Sequence, residues 1–379
     1  MLLELSPDQE VFRETTARFL NRRVSTEVVR SLRGNAAGFE PDYWRDGAEL
    51  GWTSLLVSEQ HGGGSISGAG LVDLTLAAYE FGCRAAPGPL VPTNVVASAL
   101  SAEGGEAHLP VLEGLLSGTM IASWCFGEPA PRDALGSVGL TCRVDGGDLV
   151  LNGVKRPVES AAQADYLLVT ARAPEGLTQV LVPTATAGVV VEPLLTVDLT
   201  RRFSTVRFDD VRLPAEAVVG ELGGADEQVE HQLQVAIVIL AAETVGAMQT
   251  AFDMTVRWAF ERYSFGRPLA SYQELKHRFA DMKTWLEASH AVSDAAAAAV
   301  AAQSPDAGEL VSAAKSFIGE YGGELLQDCV QIHGGIGVTF EHDLHLYLRR
   351  VTLDRALYGT PAEHRQRVAN VVEHLKERV

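Results

Sequence analysis

Hydrophobic positions recur at helical spacing in the first third of the chain, at strand spacing in the middle, and at helical spacing again to the end. Ser6-Pro7 reads as a cap followed by proline at the first helical position, Gln9 completes a capping box, and Phe12 and Phe19 fall on one face. A loop is expected at Glu59-Gln60-His61-Gly62-Gly63-Gly64. A second helix follows over 70–81, then the proline-rich APGPLVPT and a further helical segment to about Ser117. From about Thr119 to Leu213 the apolar runs shorten. GLTCRV and DLVLNGV flank Asp145-Gly146-Gly147, a hairpin signal, and DYLLVTAR, TQVLVPT, GVVVEPL and TVRFDDV are β-branched runs between turn residues. Beyond about Glu227 the pattern predicts long helices over 228–263, 272–303, 309–332 and 361–378, the last with Val368, Val371, Val372 and Leu375 on one stripe. The order predicts an α+β chain of three domains: helical over 1–118, a barrel-like β domain over 119–226, and a four-helix bundle over 227–379.

Composition narrows the function classes. With 379 residues, 46% hydrophobic and 21% charged, the chain has material for a large core and more than one domain. An excess of 49 acidic over 31 basic residues gives a formal charge of -18, and no basic stripe interrupts it, which argues against nucleic acid as a partner. Cys83, Cys125, Cys142 and Cys329 are scattered without metal-ligand spacing, and His61, His277, His333 and His342 form no metal-like pattern either, so no metal site is expected. The start MLLELSPDQE lacks the basic-then-apolar pattern of a signal peptide, and the longest strongly apolar run, Val235 to Ala242, falls short of the ~20 residues that span a bilayer. A cytoplasmic protein with reduced thiols and no membrane segment is the expectation.

Two C-terminal stretches carry candidate chemistry. In ERYSFGRPLASYQELKHRFADM, Arg262 stands at a helix end, Phe265-Gly266 makes a turn and Gln273 begins the next helix. Arg262 and Arg267 could clamp a pyrophosphate while Phe265 offers a face to an aromatic base; the plainer alternative is a helix end with a favourable cation and a glycine cap. In QIHGGIGVTFEHDLHLYLRR, Gly334, Gly335 and Gly337 let a backbone approach a ligand, and Gln331 supplies an amide that can read an adenine edge. A glycine-rich break alone says little. Its pairing with the Arg-x-x-Phe-Gly turn and the α, β, α order says much more.

Over almost its whole length the chain resembles the acyl-CoA dehydrogenases, through LGWTSLLVSEQHGGG, EPAPRD after SWCFG, LNGVKRPVESAAQADYLLVTAR, FDDVRLP, ERYSFGRPL with SYQELKHRFADM, and QIHGGIGVTFEHD. The resemblance implies an N-terminal helical domain, a middle β domain and a C-terminal four-helix bundle. It also implies FAD lying at a subunit interface, its ring between β domain and bundle and its ADP end reaching a neighbouring subunit. A carboxylate would remove the α-proton of an acyl thioester while the β-hydride passes to flavin N5. Carried over residue by residue, Arg262, Ser264 and Phe265 match the pyrophosphate and adenine contacts, Gln331, Gly334 and Gly335 match the glycine-turn contacts, and Gln273 is carried with them.

The departures from that pattern fall elsewhere. Gly127 stands where the family's Thr-Glu-Pro motif has a flavin-contacting Thr, and Pro157-Val158-Glu159 replaces Trp-Ile-Thr, whose Thr approaches N5. The usual base precedes a Gly-Thr pair, where this chain has Tyr358; an alternative base position holds Ala236. Glu243, two helical turns from Ala236 on the same face, is the remaining candidate base, and its plainer alternative is an ion pair across the bundle. Glu363, in the first turn of the last helix, is expected to stabilise that helix's N-terminus. The leading expectation is an FAD-dependent acyl-CoA dehydrogenase that works as the base-lacking subunit of a heteromer with a homologous subunit. The alternatives are a homo-oligomer active through Glu243 and a catalytically silent flavin- or thioester-binding protein. The implied partners are an acyl-CoA or acyl-carrier thioester and electron-transfer flavoprotein or a similar acceptor.

Overall fold

The computed structural model describes residues 4–129 and 135–377. Residues 130–134, which take in most of the EPAPRD stretch, lie outside the description, as do the side chains of Val372 and Leu375. Helix α1 (Pro7–Arg23) starts at the expected cap: Ser6 Oγ accepts from the Gln9 amide and the Gln9 side chain accepts from the Ser6 amide. Helices α2 (Thr26–Ser31), α3 (Pro41–Glu49), α4 (Gly70–Arg84), α5 (Leu90–Glu103) and α6 (Leu109–Leu116) complete the N-terminal part. The loop expected at 59–64 holds one short 3-10 turn, Glu59–His61.

The middle of the chain forms one eight-stranded sheet from β1 (Ala122–Cys125), β2 (Thr141–Asp145), β3 (Asp148–Glu159), β4 (Tyr166–Ala173), β5 (Gly176–Pro183), β6 (Val189–Leu194), β7 (Phe203–Leu213) and β8 (Val218–Val219). Its order is β6-β7-β3-β2-β4-β5-β8, with β1 parallel to β4. The predicted hairpin joins β2 to β3, Asp145 opposite Asp148, through Gly146 and Gly147 at φ 66° and 96°. The sheet wraps its own apolar core, which includes Leu151, Val169, Val180, Val206 and Phe208.

The C-terminal part begins with α7 (Asp226–Glu261), followed by the two-residue strands β9 (Tyr263–Ser264) and β10 (Arg267–Pro268), then α8 (Gln273–Ala301), α9 (Ala307–His333), α10 (Leu344–Ala356) and α11 (Pro361–Glu377). By length and composition α7 could cross a membrane, yet 89% of its apolar window is buried inside the protein, as befits a core helix. It touches α4 backbone to backbone. A side chain at Gly82 would collide with the Glu243 carbonyl, and one at Gly246 with the Tyr79 carbonyl. The predicted long helices are present. Helix α10 is an addition that hydropathy did not reveal, because the face it buries carries Arg350 and Asp354 beside Leu346, Tyr347 and Val351.

Candidate active site and nucleotide surface

The residues matched to the ADP end of FAD gather on one outer surface. Helix α7 stops at Arg262, and the chain reverses through Phe265 and Gly266, both at positive φ, to pair Ser264 with Arg267. Phe265 is 99% exposed although φ 49° is an unfavourable conformation for a residue with a side chain. Arg262, Gln273, Gln331, Gly334 and Gly335 are exposed and Ser264 is half-buried. Phe260, Tyr263, Ile336 and Val338, their near neighbours along the chain, are exposed as well. Gly334 adopts φ 65° and ψ -141°, a conformation open to glycine. Arg267 stacks on Tyr272 at 3.8 Å, and Gln273 reaches His277 at 3.0 Å. Trp258 ties the two segments together, lying under Arg262 and stacking on His333.

The opposite end of the expected cofactor site is closed. Trp124, Phe126, Pro157, Glu159, Leu357 and Tyr358 surround a cavity of about 50 Å³. Ligand pockets for drug-sized molecules run to roughly 300–1,000 Å³. Trp124 packs against Phe126 at 4.6 Å and against Tyr358 at 5.6 Å, and burial pushes the Tyr358 hydroxyl well above its ordinary range. Gly127 accepts a hydrogen bond from the Arg156 amide, and a side chain there would sit 3.2 Å from the Arg156 carbonyl. The neighbouring Glu128 is bound by Lys155 and by the Gly139 and Leu140 amides.

Glu159 enters a buried charge network that the sequence did not reveal. Arg201 donates to both Glu159 oxygens, at 2.7 and 2.5 Å, and reaches Asp354 at 2.9 Å and Glu243 at 3.3 Å. Arg350 binds Glu243, Asp198, Thr200 Oγ1 and the Ala86 carbonyl. Lys315 donates to the Asp354 backbone carbonyl. Arg201, Arg350, Glu159, Glu243, Asp198 and Asp354 are each at most 5% exposed. Burial raises Glu159 and Asp354 and lowers Lys315; at Asp198 burial is outweighed by Arg350 and by the Thr200 and Arg201 amides, leaving it near 2. Glu243 therefore sits between two guanidinium groups and not on a bare apolar face. Ala236 lies in the apolar core. Glu363 accepts from the Thr360 amide and hydroxyl at the start of α11.

The comparisons with known proteins converge on one answer. Residues 6–118, 125–211 and 227–373 match the models for the acyl-CoA dehydrogenase N-terminal, middle and C-terminal domains. The chain belongs to the acyl-CoA dehydrogenase family. Acyl-CoA dehydrogenase IpdE2 of Mycolicibacterium smegmatis is 30% identical over 366 residues, 96% of this chain and 98% of that protein. Among solved structures, a variant of the Tcur3481-Tcur3483 steroid acyl-CoA dehydrogenase superposes with a TM-score of 0.88 at 26% identity, covering 97% of this chain and 98% of the other. Butyryl-CoA dehydrogenase from Megasphaera elsdenii, at 22% identity and a TM-score of 0.88 over 98% of this chain and all of that one, shares the fold.

Family members are flavoproteins, so the fit of FAD to these residues can be tested. The exposed surface around Arg262 and Gly334 suits an ADP moiety: it offers a cation, exposed glycine backbone and an aromatic face. The other end does not suit a flavin ring, since Tyr358, Trp124 and the Glu159–Arg201 pair fill the space between β3 and α10.

Proposed function

We propose that this chain is the base-lacking subunit of a heteromeric acyl-CoA dehydrogenase. It lends its ADP-end surface to an FAD whose ring and catalytic carboxylate belong to a homologous subunit, and the assembly dehydrogenates an acyl thioester at Cα–Cβ. The observation that carries this reading is the opposite condition of the two ends of one cofactor site: the nucleotide surface is open, and the ring site is filled by Tyr358 and by an ion pair. Glu243 is a structural anion here, its two oxygens occupied by Arg350 and Arg201. An acid locked by two buried cations is poorly placed to accept a substrate proton. The structural relative Tcur3481-Tcur3483, whose name joins two designations and specifies a steroid acyl-CoA dehydrogenase, supports a two-subunit arrangement and a polycyclic acyl group. A neighbouring gene for a homologue that keeps the Glu before Gly-Thr would identify the partner.

The test is anaerobic titration with an acyl-CoA, followed by the bleaching of the flavin band. The chain purified alone should show no substrate-dependent bleaching, and the same chain co-purified with its homologue should bleach. Bleaching by the chain alone would replace this reading with that of an active homo-oligomer.

A further inference from the structure

Beneath the glycine turn four side chains stand in a column. Arg262 lies over the Trp258 ring at 5.9 Å, Trp258 stacks on His333 with centroids 5.3 Å apart and planes 18° from parallel, and His333 meets His342 at 4.6 Å. The column spans the two halves of the nucleotide surface, because Arg262 ends α7 and His333 immediately precedes Gly334.

His333 is 4% exposed, and its Nδ1–H donates to the Cys329 carbonyl at 2.8 Å, which leaves Nε2 as an acceptor. Among the described residues, neither that nitrogen nor the buried Trp258 Nε1 has a hydrogen-bond partner. A buried donor and a buried acceptor left unmatched side by side are costly. The ring stack holds them there. Arg262 and Gly334 thereby stand at the two ends of one ring stack.

We propose that Trp258 and His333 are positioning residues of the nucleotide half-site, and that this half-site holds an ADP moiety only while His333 is neutral. The inference rests on the reading of that surface given above.

The charges around His333 explain the second clause. His342 faces it directly, and Arg262 lies beyond Trp258. From α2, Arg30 donates to the Phe340 and Glu341 carbonyls at 3.3 and 2.9 Å and pairs with Asp343 at 2.5 Å, so the carboxylate that faces His342 is already engaged. Burial holds both His333 and His342 below the usual histidine range. A proton on His333 would put a buried cation without a counter-ion into the column, with Arg262 on the far face of the same indole. Opening the column and hydrating the ring relieves that cost. Because the buried form has the lower pKa, the stabilising contribution is complete above pH ~6.5 and declines as the pH falls below that value.

The full-length chain is titrated with ADP by calorimetry at pH 7.5 and pH 5.5, with melting curves at both. Wild-type affinity should be lower at pH 5.5 than at pH 7.5, because protonation of His333 favours the opened column over the one that presents Arg262 and Gly334 together. His333→Phe keeps a stacking ring without a titrating nitrogen. Whatever its affinity at pH 7.5, the ratio between the two pH values should stay within about twofold, and this arm also corrects for protonation of ADP itself. Trp258→Ala should weaken binding at both pH values while the protein still melts cooperatively. An acid loss in His333→Phe equal to the wild type's overturns the proposal and leaves the half-site standing. Absence of saturable ADP binding by the wild type at pH 7.5 removes the half-site itself, and the inference with it.

Discussion

Arg201 holds Glu159 by two parallel hydrogen bonds, of 2.7 and 2.5 Å, with both side chains 3% exposed. The pair occupies the position where the resemblance places a threonine beside flavin N5, so the change does more than delete a hydroxyl. It brings a carboxylate and the guanidinium that neutralises it into the space of the ring.

A buried bidentate pair is sensitive to the loss of one member. Glu159→Ala or Arg201→Ala should each cost about 3–5 kcal/mol of folding stability. The double change to apolar residues of similar size, Glu159→Leu with Arg201→Met, should cost much less than the sum, since it leaves fewer unpaired charges. Urea midpoints of the three variants check this, and single losses under about 1 kcal/mol would speak against it.

Glu243→Gln removes the charge opposite Arg350 while keeping the shape. The expected result is destabilisation of about 3 kcal/mol, with kcat of the assembled enzyme, measured where the variant is still folded, within about twofold of wild type because the amide costs no chemistry. Unchanged melting together with a dead enzyme would restore Glu243 as the base.

Much of this architecture was legible because its signals are local. The capping box at Ser6 and Gln9, the Gly146-Gly147 hairpin and the break at Arg262 to Gly266 each lie within a few residues of the structure they specify. Helix α10 was not, since Arg350 and Asp354 occupy its inner face and erase the apolar period. The charge network left no local trace either: Arg201 meets Glu159 across 42 residues and Asp354 across 153. Glu243, whose plainer reading is an ion pair across the bundle, is the member of the network to which the sequence points. Sequence spacing likewise says nothing of Arg267 stacking on Tyr272.

His364 gives the fold a pH dependence near the closed ring site. It is fully buried, its Nε2–H donates to the Tyr358 carbonyl at 2.9 Å and its Nδ1 accepts from Ser312. Burial lowers it to about 4, partly offset by the Tyr358 carbonyl. The unfolded chain thus takes up this proton first, so the contribution is intact above pH ~6.5 and declines toward pH 4, on the order of 2 kcal/mol in all. Unfolding free energies from pH 7.5 to 4.5 should show this decline in the wild type and a smaller one in His364→Gln. Identical slopes would count against the assignment.

Phe265 sits at φ 49° with its ring in solvent. Phe265→Gly should relieve about 1 kcal/mol of backbone strain and raise the melting temperature of the isolated chain. The same change should weaken flavin retention in the assembly. A variant that loses stability in isolation would mean that the ring packs within its own chain.

The central claim concerns how many flavins the assembly holds. Native mass spectrometry of the chain co-expressed with its base-carrying homologue, combined with flavin absorbance per polypeptide, measures this directly. The account predicts an α2β2 assembly with fewer FAD than chains, each flavin lost when Arg262→Ala is introduced here. One FAD per chain in a homo-oligomer of this protein, reducible by an acyl-CoA, would contradict it.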